Sequence, residues 1–559
     1  MRWIWSGALV IALAASACRP LDGESQGADG RGPRSASAPK VLTIGVQGDL
    51  PDFYGFGGIR SGGVGNVPPI ALDSLAVQND RGEYEPLLAS EELSVARGTW
   101  RVNPDGTMDT VWKLRPGVKW HDDAPFTADD MLFTVTVRKD PEAGARNFGR
   151  LDLVESASAP DPLTFAIHWS APYVDANQAL DLEPMARHVL EEPFLKDKSS
   201  FANSPFLTDQ FVGLGPYRLV DWQRGSQMVF VRFDDYYQGR PPLDRVIVRT
   251  LGDPNAVVAN ILSGAIDITM GSVGVDAAVD LQQRWTGTGN VVRFDARDRL
   301  QHVEIQFRPE LARPRNGLTT LAVRQGLYQA IDRQALIDVA SHGLSPIADS
   351  WVRPTSALRS LLEPLIPQFP YDPARAQARL AETGWTRTAD GVLVHSPSGE
   401  RFETQLVTGN TLAGPVVANQ WKEMGAQVSE LVYTAAQSND REYAASYSGG
   451  WVTTVPTPQL YSGKRLHGGA VRSAGTRWIG ENRSGYSNPM VDALLDRSVA
   501  AIDPTDRMAV LGQLVQAEIG DVAIMPLFWD MEPVVQLRGV KSQVTGDITT
   551  WNFFAFDKE

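Results

Sequence analysis

The chain has 559 residues, with 52 Lys and Arg against 66 Asp and Glu, for a formal net charge of −14. That balance excludes a nucleic-acid binder or a polybasic membrane-surface protein, because phosphate pairing and counterion release both need clustered cations. Hydrophobic residues at 43% and charged residues at 21% supply a large core, enough for several domain-sized units or for one chain woven between two lobes.

Met1-Arg2 precedes an apolar run from Trp3 to Ala15, broken only by Ser6 and Gly7, and the small residues Ser16 and Ala17 follow. The run is short for a bilayer span and predicts an export signal over residues 1–17. Leu13-Ala14-Ala15-Ser16-Ala17-Cys18 resembles a bacterial lipobox, with Ala15 where Leu is usual, and the resemblance implies that Cys18 becomes the lipid-modified first residue. Each buried methylene contributes roughly 0.8 kcal/mol, so multiple acyl chains would anchor the protein durably. Cys18 is the only cysteine, which rules out an intramolecular disulfide and a cysteine metal site or nucleophile in the body. Residues 18–40, rich in Gly, Ser, Asp and Arg, form a predicted flexible tether.

From Val41 onward strands and helices interleave. Val41–Val46 has the short apolar character of a buried strand, and Thr110–Trp120 and Tyr217–Phe233 are expected as hairpins turning at Arg115-Pro116-Gly117 and Arg224-Gly225-Ser226. Helices are expected at Ala128–Arg138, Leu321–Ile331 and Arg333–Ser341. Four more should start at an Asx-Pro pair, where Asp or Asn caps free amides and Pro takes the first helical position: Asp253-Pro254, Asp372-Pro373, Asn488-Pro489 and Asp503-Pro504. The fold class is α/β.

Several segments in order resemble the solute-binding proteins of peptide-type ABC importers, extracellular solute-binding protein family five. They are Pro86-Leu87-Leu88-Ala89, Pro104-Asp105-Gly106-Thr107, Leu114-Arg115-Pro116-Gly117-Val118-Lys119-Trp120-His121-Asp122, Gly213-Leu214-Gly215-Pro216-Tyr217, Leu262-Ser263-Gly264-Ala265-Ile266-Asp267 and Ala330-Ile331-Asp332-Arg333. Tyr371-Asp372-Pro373 with Gly384-Trp385 extends the match. The resemblance implies a two-lobed periplasmic binding protein-like fold of class II type. Lobe 1 would hold 41–300, with an extra subdomain at about 91–212 and completion by 529–559, and lobe 2 would hold 301–528. It also implies capture of a small-molecule or peptide ligand by lobe closure, delivery to an ABC permease with its cytoplasmic ATPase, and a monomer in the bacterial cell envelope, in the periplasm or at the outer face of the cytoplasmic membrane.

Gly449-Gly450-Trp451 resembles the family's Gly-Trp strand end lining the cleft, so Gly450 and Trp451 head the candidate ligand residues. Tyr461, Trp351, Trp529 and Tyr54 are further aromatic candidates, since flat side chains in a cleft sandwich ligands. Peptide-binding members usually continue Gly-Trp with Ala-Asp-Tyr, whose aspartate receives an ammonium group. Here Thr453 and Thr454 follow Val452, with Thr454 at the carboxylate's place, and Val407-Thr408-Gly409-Asn410 offers no arginine for a carboxylate terminus. The substitutions suggest a neutral ligand: a sugar, a blocked or longer peptide held by its backbone, or an uncharged metabolite.

His121, His168, His188, His302, His342, His395 and His467 are dispersed without helical ligand spacing, so no metal site and no cofactor are expected. No nucleophile elbow or zinc-protease motif is present, and the pairs Asp122-Asp123 and Asp129-Asp130 are poorly placed for acid and base roles. An exported polysaccharide hydrolase is therefore the weaker alternative, beside a ligand sensor or docking lipoprotein without a transporter.

Overall fold

The computed structural model describes residues 38–559 apart from 57–62, 80–82, 145–150, 179–182, 410 and 543–549. The expected export signal, Cys18, most of the expected tether and Asn410 lie outside the described residues.

Ten strands form one continuous sheet: β1 (Val41–Gln47), β2 (Tyr217–Gln223), β3 (Gln227–Arg232), β4 (Arg245–Leu251), β5 (Ile268–Met270), β6 (Val291–Ile305), β7 (Glu403–Thr408), β8 (Gln427–Val432), β9 (Gly450–Pro456) and β10 (Ile524–Gln536). Their spatial order is β8-β7-β9-β6-β10-β5-β1-β4-β3-β2. The apolar run of β1 is explained by its parallel partners on both edges, β4 and β5, a position buried on both faces. β2 and β3 form the expected hairpin, with Gly225 at φ 69° supplying the turn.

All four Asx-Pro helices form: Pro254–Leu262, Pro373–Glu382, Pro489–Ala500 and Pro504–Gly520. Each Asp or Asn accepts from an amide two or three residues on. Helices also form at Ala128–Lys139, Leu321–Gln329 and Arg333–Ser341. Asp130 accepts from the Thr127 amide at 2.9 Å, closing the helix start.

The expected hairpin at Thr110–Trp120 does not form. Met108–Lys113 is a strand, but it pairs with Trp100–Val102 and Thr164–Trp169 in a separate four-stranded antiparallel sheet. Residues 118–126 close on themselves instead, through Trp120 N to Ala124 O at 2.8 Å and Phe126 N to Val118 O at 3.0 Å. Arg115 Nε meanwhile donates to Leu87 O at 2.5 Å.

The buried apolar residues segregate. One cluster draws only on Leu300–Trp529; a second runs through residues 42–270 and 534–556; a third, within 75–214, packs around the four-stranded sheet. Each fully buried large apolar side chain contributes roughly 1.5–3 kcal/mol, so each cluster is a core in its own right. Between the first two run β6 and β10, paired from Val291 opposite Gln536 to Glu304 opposite Ile524, with breaks between Ala296 and Leu300 and between Gln301 and His302. The first break is polar: Arg299 Nε lies 3.5 Å from Asp530 Oδ2, Arg297 pairs with Glu532, and Arg353 Nε lies 3.6 Å from Asp298 Oδ1. Burial pushes the Asp530 carboxyl up to about 6, against the pull of Arg299 and Gln301.

Candidate functional site

β9 begins at a close approach. A side chain on Gly449 would meet the Gln405 carbonyl oxygen at 2.0 Å, and one on Gly450 would meet Leu406 and Val303 at 2.9 and 3.0 Å. Glycine at these two positions lets β9 enter beside β7, which it follows in parallel only through Leu406–Gly450 and Val407–Trp451. Beyond Trp451, β9 pairs with β6 alone, from Val303–Val452 to Arg299–Pro456. The opposite backbone edge of Val452–Pro456 therefore has no strand partner among the described residues. Thr453 and Thr454 on this stretch are half-buried, and their hydroxyls make no hydrogen bond among the described residues.

Trp451 is buried in a small cluster with Val407, Ala444 and Tyr447. Tyr433 packs on its ring at 4.9 Å and 30°, Tyr447 meets it edgewise at 5.6 Å, and the Arg483 guanidinium lies 4.6 Å from the ring centre. Opposite Trp451 in the ladder is Glu304, and opposite Thr453 is His302. Glu304 accepts from Arg465 Nε and Arg483 Nε, both at 2.5 Å, and contacts His302 Nε2 at 3.1 Å. Burial alone would raise the Glu304 carboxyl, but Arg465 and Arg483, with His302, hold it well below the carboxylate range. Burial lowers His302, favouring its neutral form.

The sequence model of the bacterial extracellular solute-binding proteins, family 5 Middle, matches residues 83–471. The chain belongs to this family. Oligopeptide-binding protein AppA of Bacillus subtilis is 26% identical over 344 residues, 59% of each chain. Heme-binding protein A of Haemophilus influenzae is 24% identical over 462 residues, covering 77% of this chain and 76% of that one. NikZ from Campylobacter jejuni, solved in complex with Ni(L-His), superposes with a TM-score of 0.72 at 19% identity, covering 93% of this chain and 100% of NikZ. The shared fold is the two-lobed α/β arrangement of these binding proteins.

In this family-5 protein the remaining aromatic candidates are scattered. Tyr461, in Pro458–Tyr461, packs on Trp351 at 5.1 Å, and Trp351 Nε1 donates to the buried Glu518 at 2.7 Å. Trp529 is sealed in the core of residues 300–529, its amide donating to Pro346 O at 3.0 Å. Tyr54 lies in the second core, where its hydroxyl donates to Pro184 O at 3.1 Å. Both of these rings are enclosed by protein on the described structure. Among the described residues no three His, Asp or Glu side chains gather as a metal ligand set.

Beside Trp451 the chain places Glu304, Arg465 and Arg483, charged groups that the expectation of a neutral ligand did not include. Arg465 and Arg483 arrive from downstream of β9, rather than from the segment after β7 where an arginine was sought. A sequence signal existed: residues 441–483 hold six Lys and Arg against Glu442 and Glu481, inside an acidic chain.

Proposed function

We propose that this protein is the solute-capturing component of a peptide-type ABC importer, tethered by a lipid on Cys18, which closes two lobes on its ligand and presents it to a membrane permease driven by a cytoplasmic ATPase. The lobes are taken as 41–300 with 529–559, and 301–528, a division supported by the segregated apolar clusters on either side of the β6–β10 crossing. Hinge closure of this kind is the established motion of periplasmic binding proteins. Asp175 Oδ1, 3.8 Å from Arg507 Nη2, is a contact between the two lobes so defined.

The observation that carries the reading is the unpartnered edge of Val452–Pro456 beside Trp451. An extended ligand can hydrogen-bond such an edge as an added strand, through backbone groups that carry no sequence information. The name of the oligopeptide-binding relative agrees with a peptide cargo. Capture is tested by native mass spectrometry of the protein purified without unfolding from its own host. The reading predicts a reproducible noncovalent adduct that denaturation removes; a bare mass in every preparation contradicts it. The anchor is tested separately: Cys18→Ser should move the protein from the detergent-soluble membrane fraction to the soluble one, and unchanged fractionation would exclude lipidation at Cys18.

A further inference from the structure

A cavity of about 420 Å³ is lined only by residues of 69–115, 216–238 and 551–555, all within lobe 1 as drawn above. None of them belongs to β6, β9 or β10, so no movement of one lobe on the other is needed to form it. Its volume lies in the range of small-molecule pockets.

The wall holds acceptors that the chain leaves without donors. Asp73 is buried, and Tyr236 and Tyr237 both donate to its Oδ2, at 2.8 and 2.9 Å. Gln238 Nε2 reaches the two phenol oxygens at 3.4 and 3.3 Å, which leaves the phenol hydrogens for Asp73. Asp73 Oδ1 receives no hydrogen bond among the described residues, and Asn552 Oδ1 on the same wall is buried without a partner. Buried acceptors of this kind are costly unless a donor reaches them, and here the space beside them admits one.

The rest of the wall selects for positive charge. Tyr236 packs on Tyr237 at 4.6 Å and on Phe554 at 5.3 Å, and Trp551 lies on the same lining; the faces of such rings attract cations. Glu85 brings a second carboxyl group. Arg115, the guanidinium on this wall, lies 5.9 Å from the Tyr237 ring centre and donates to Leu87 O and Pro86 O rather than to Asp73.

We propose that this cavity is a second binding site, for a primary organic ammonium ion whose N–H groups donate to Asp73 Oδ1 and Asn552 Oδ1 and whose apolar body lies against Tyr236, Trp551 and Phe554. The site is independent of solute capture. Held by one carboxylate and by ring faces, its ligand binds at about 10 µM to 1 mM and leaves during purification.

The test is titration calorimetry on the full chain at pH 8, with phenethylamine, an ammonium ion at that pH, and phenethyl alcohol, its neutral analogue of similar shape. Burial raises the Asp73 carboxyl to about 7, so the group is ionised under these conditions. Phenethylamine should bind about tenfold or more tightly than the alcohol, equally in protein that carries its co-purified solute and in protein stripped of it. Asp73→Asn should bring the two affinities together. Equal affinity for the two probes, or no binding of phenethylamine, overturns the proposal. A preference that survives Asp73→Asn also overturns it, by placing the cation elsewhere, and binding to the stripped protein alone does so by placing the amine in the solute site. The amine–alcohol comparison needs no variant, so it decides the matter even if Asp73→Asn does not fold, and the solute adduct in native mass spectrometry is untouched by any of these outcomes.

Discussion

Glu304 and Asp73 are both nearly sealed from solvent, at 1% and 6% exposure, and both have tyrosines for neighbours. Asp73 borders a cavity of about 420 Å³ lined by Tyr236, Tyr237, Trp551, Phe554 and Arg115. Yet Asp73 uses its surroundings internally: Tyr236 and Tyr237 both donate to Asp73 Oδ2, at 2.8 and 2.9 Å. Burial pushes it up to about 7, against the pull of the two phenols. Glu304, with two guanidiniums, remains ionised and still leaves donors over. The two carboxyl groups therefore differ in what burial does to them: cations hold Glu304 ionised, whereas phenols alone leave Asp73 raised.

The contrast is broken most severely at Glu304. Glu304→Ala strands two buried guanidiniums and should cost about 3–5 kcal/mol, read as a fall in the urea midpoint of unfolding at pH 7. Retention of wild-type stability would mean that the guanidiniums relax into solvent. Asp73→Asn should act in the opposite sense. A folded value of about 7 above the ordinary 3.8 means that folding takes up a proton. The stability from that proton is complete below about pH 4 and is lost as pH rises to about 7. The variant should flatten this slope and gain about 2 kcal/mol at pH 8; an unaltered stability profile would show that Asp73 ionises freely in the fold. Glu304 has the reverse dependence, its contribution being present above the ordinary 4.5 and lost as pH falls below it. The smallest effect is in binding. Trp451→Ala should weaken solute affinity by at least about 1 kcal/mol in calorimetry, whereas Phe554→Ala in the other region should leave it unchanged; the opposite pattern would move the ligand to the Asp73 cavity.

Local chemistry made much of the fold legible. An Asx side chain caps the next turn, so the four Asx-Pro helices could be read two or three residues at a time, and the β2–β3 hairpin was marked by its own turn. The hairpin at Arg115-Pro116-Gly117 failed because turn residues do not say which strand is the partner: Met108–Lys113 found Thr164–Trp169 instead. Gly449-Gly450-Trp451 stood out by its resemblance to the family's Gly-Trp strand end, whereas the close approach that requires the glycines is seen only in the structure. Its electrostatics were not legible, since Arg465 and Arg483 lie 161 and 179 residues from the glutamate that orients them. Nor could Tyr54 or Trp529 be seen to lie within cores, because their environments are assembled from distant segments.

Amide hydrogen exchange, compared between the protein carrying its co-purified solute and the same protein after the solute is stripped, tests most directly where capture occurs. The account predicts slowed exchange on loading in residues 443–456 and 465–483, with no change in 236–238 or 551–555. Slowed exchange confined to 236–238 and 551–555 would contradict it and place the ligand in the cavity beside Asp73.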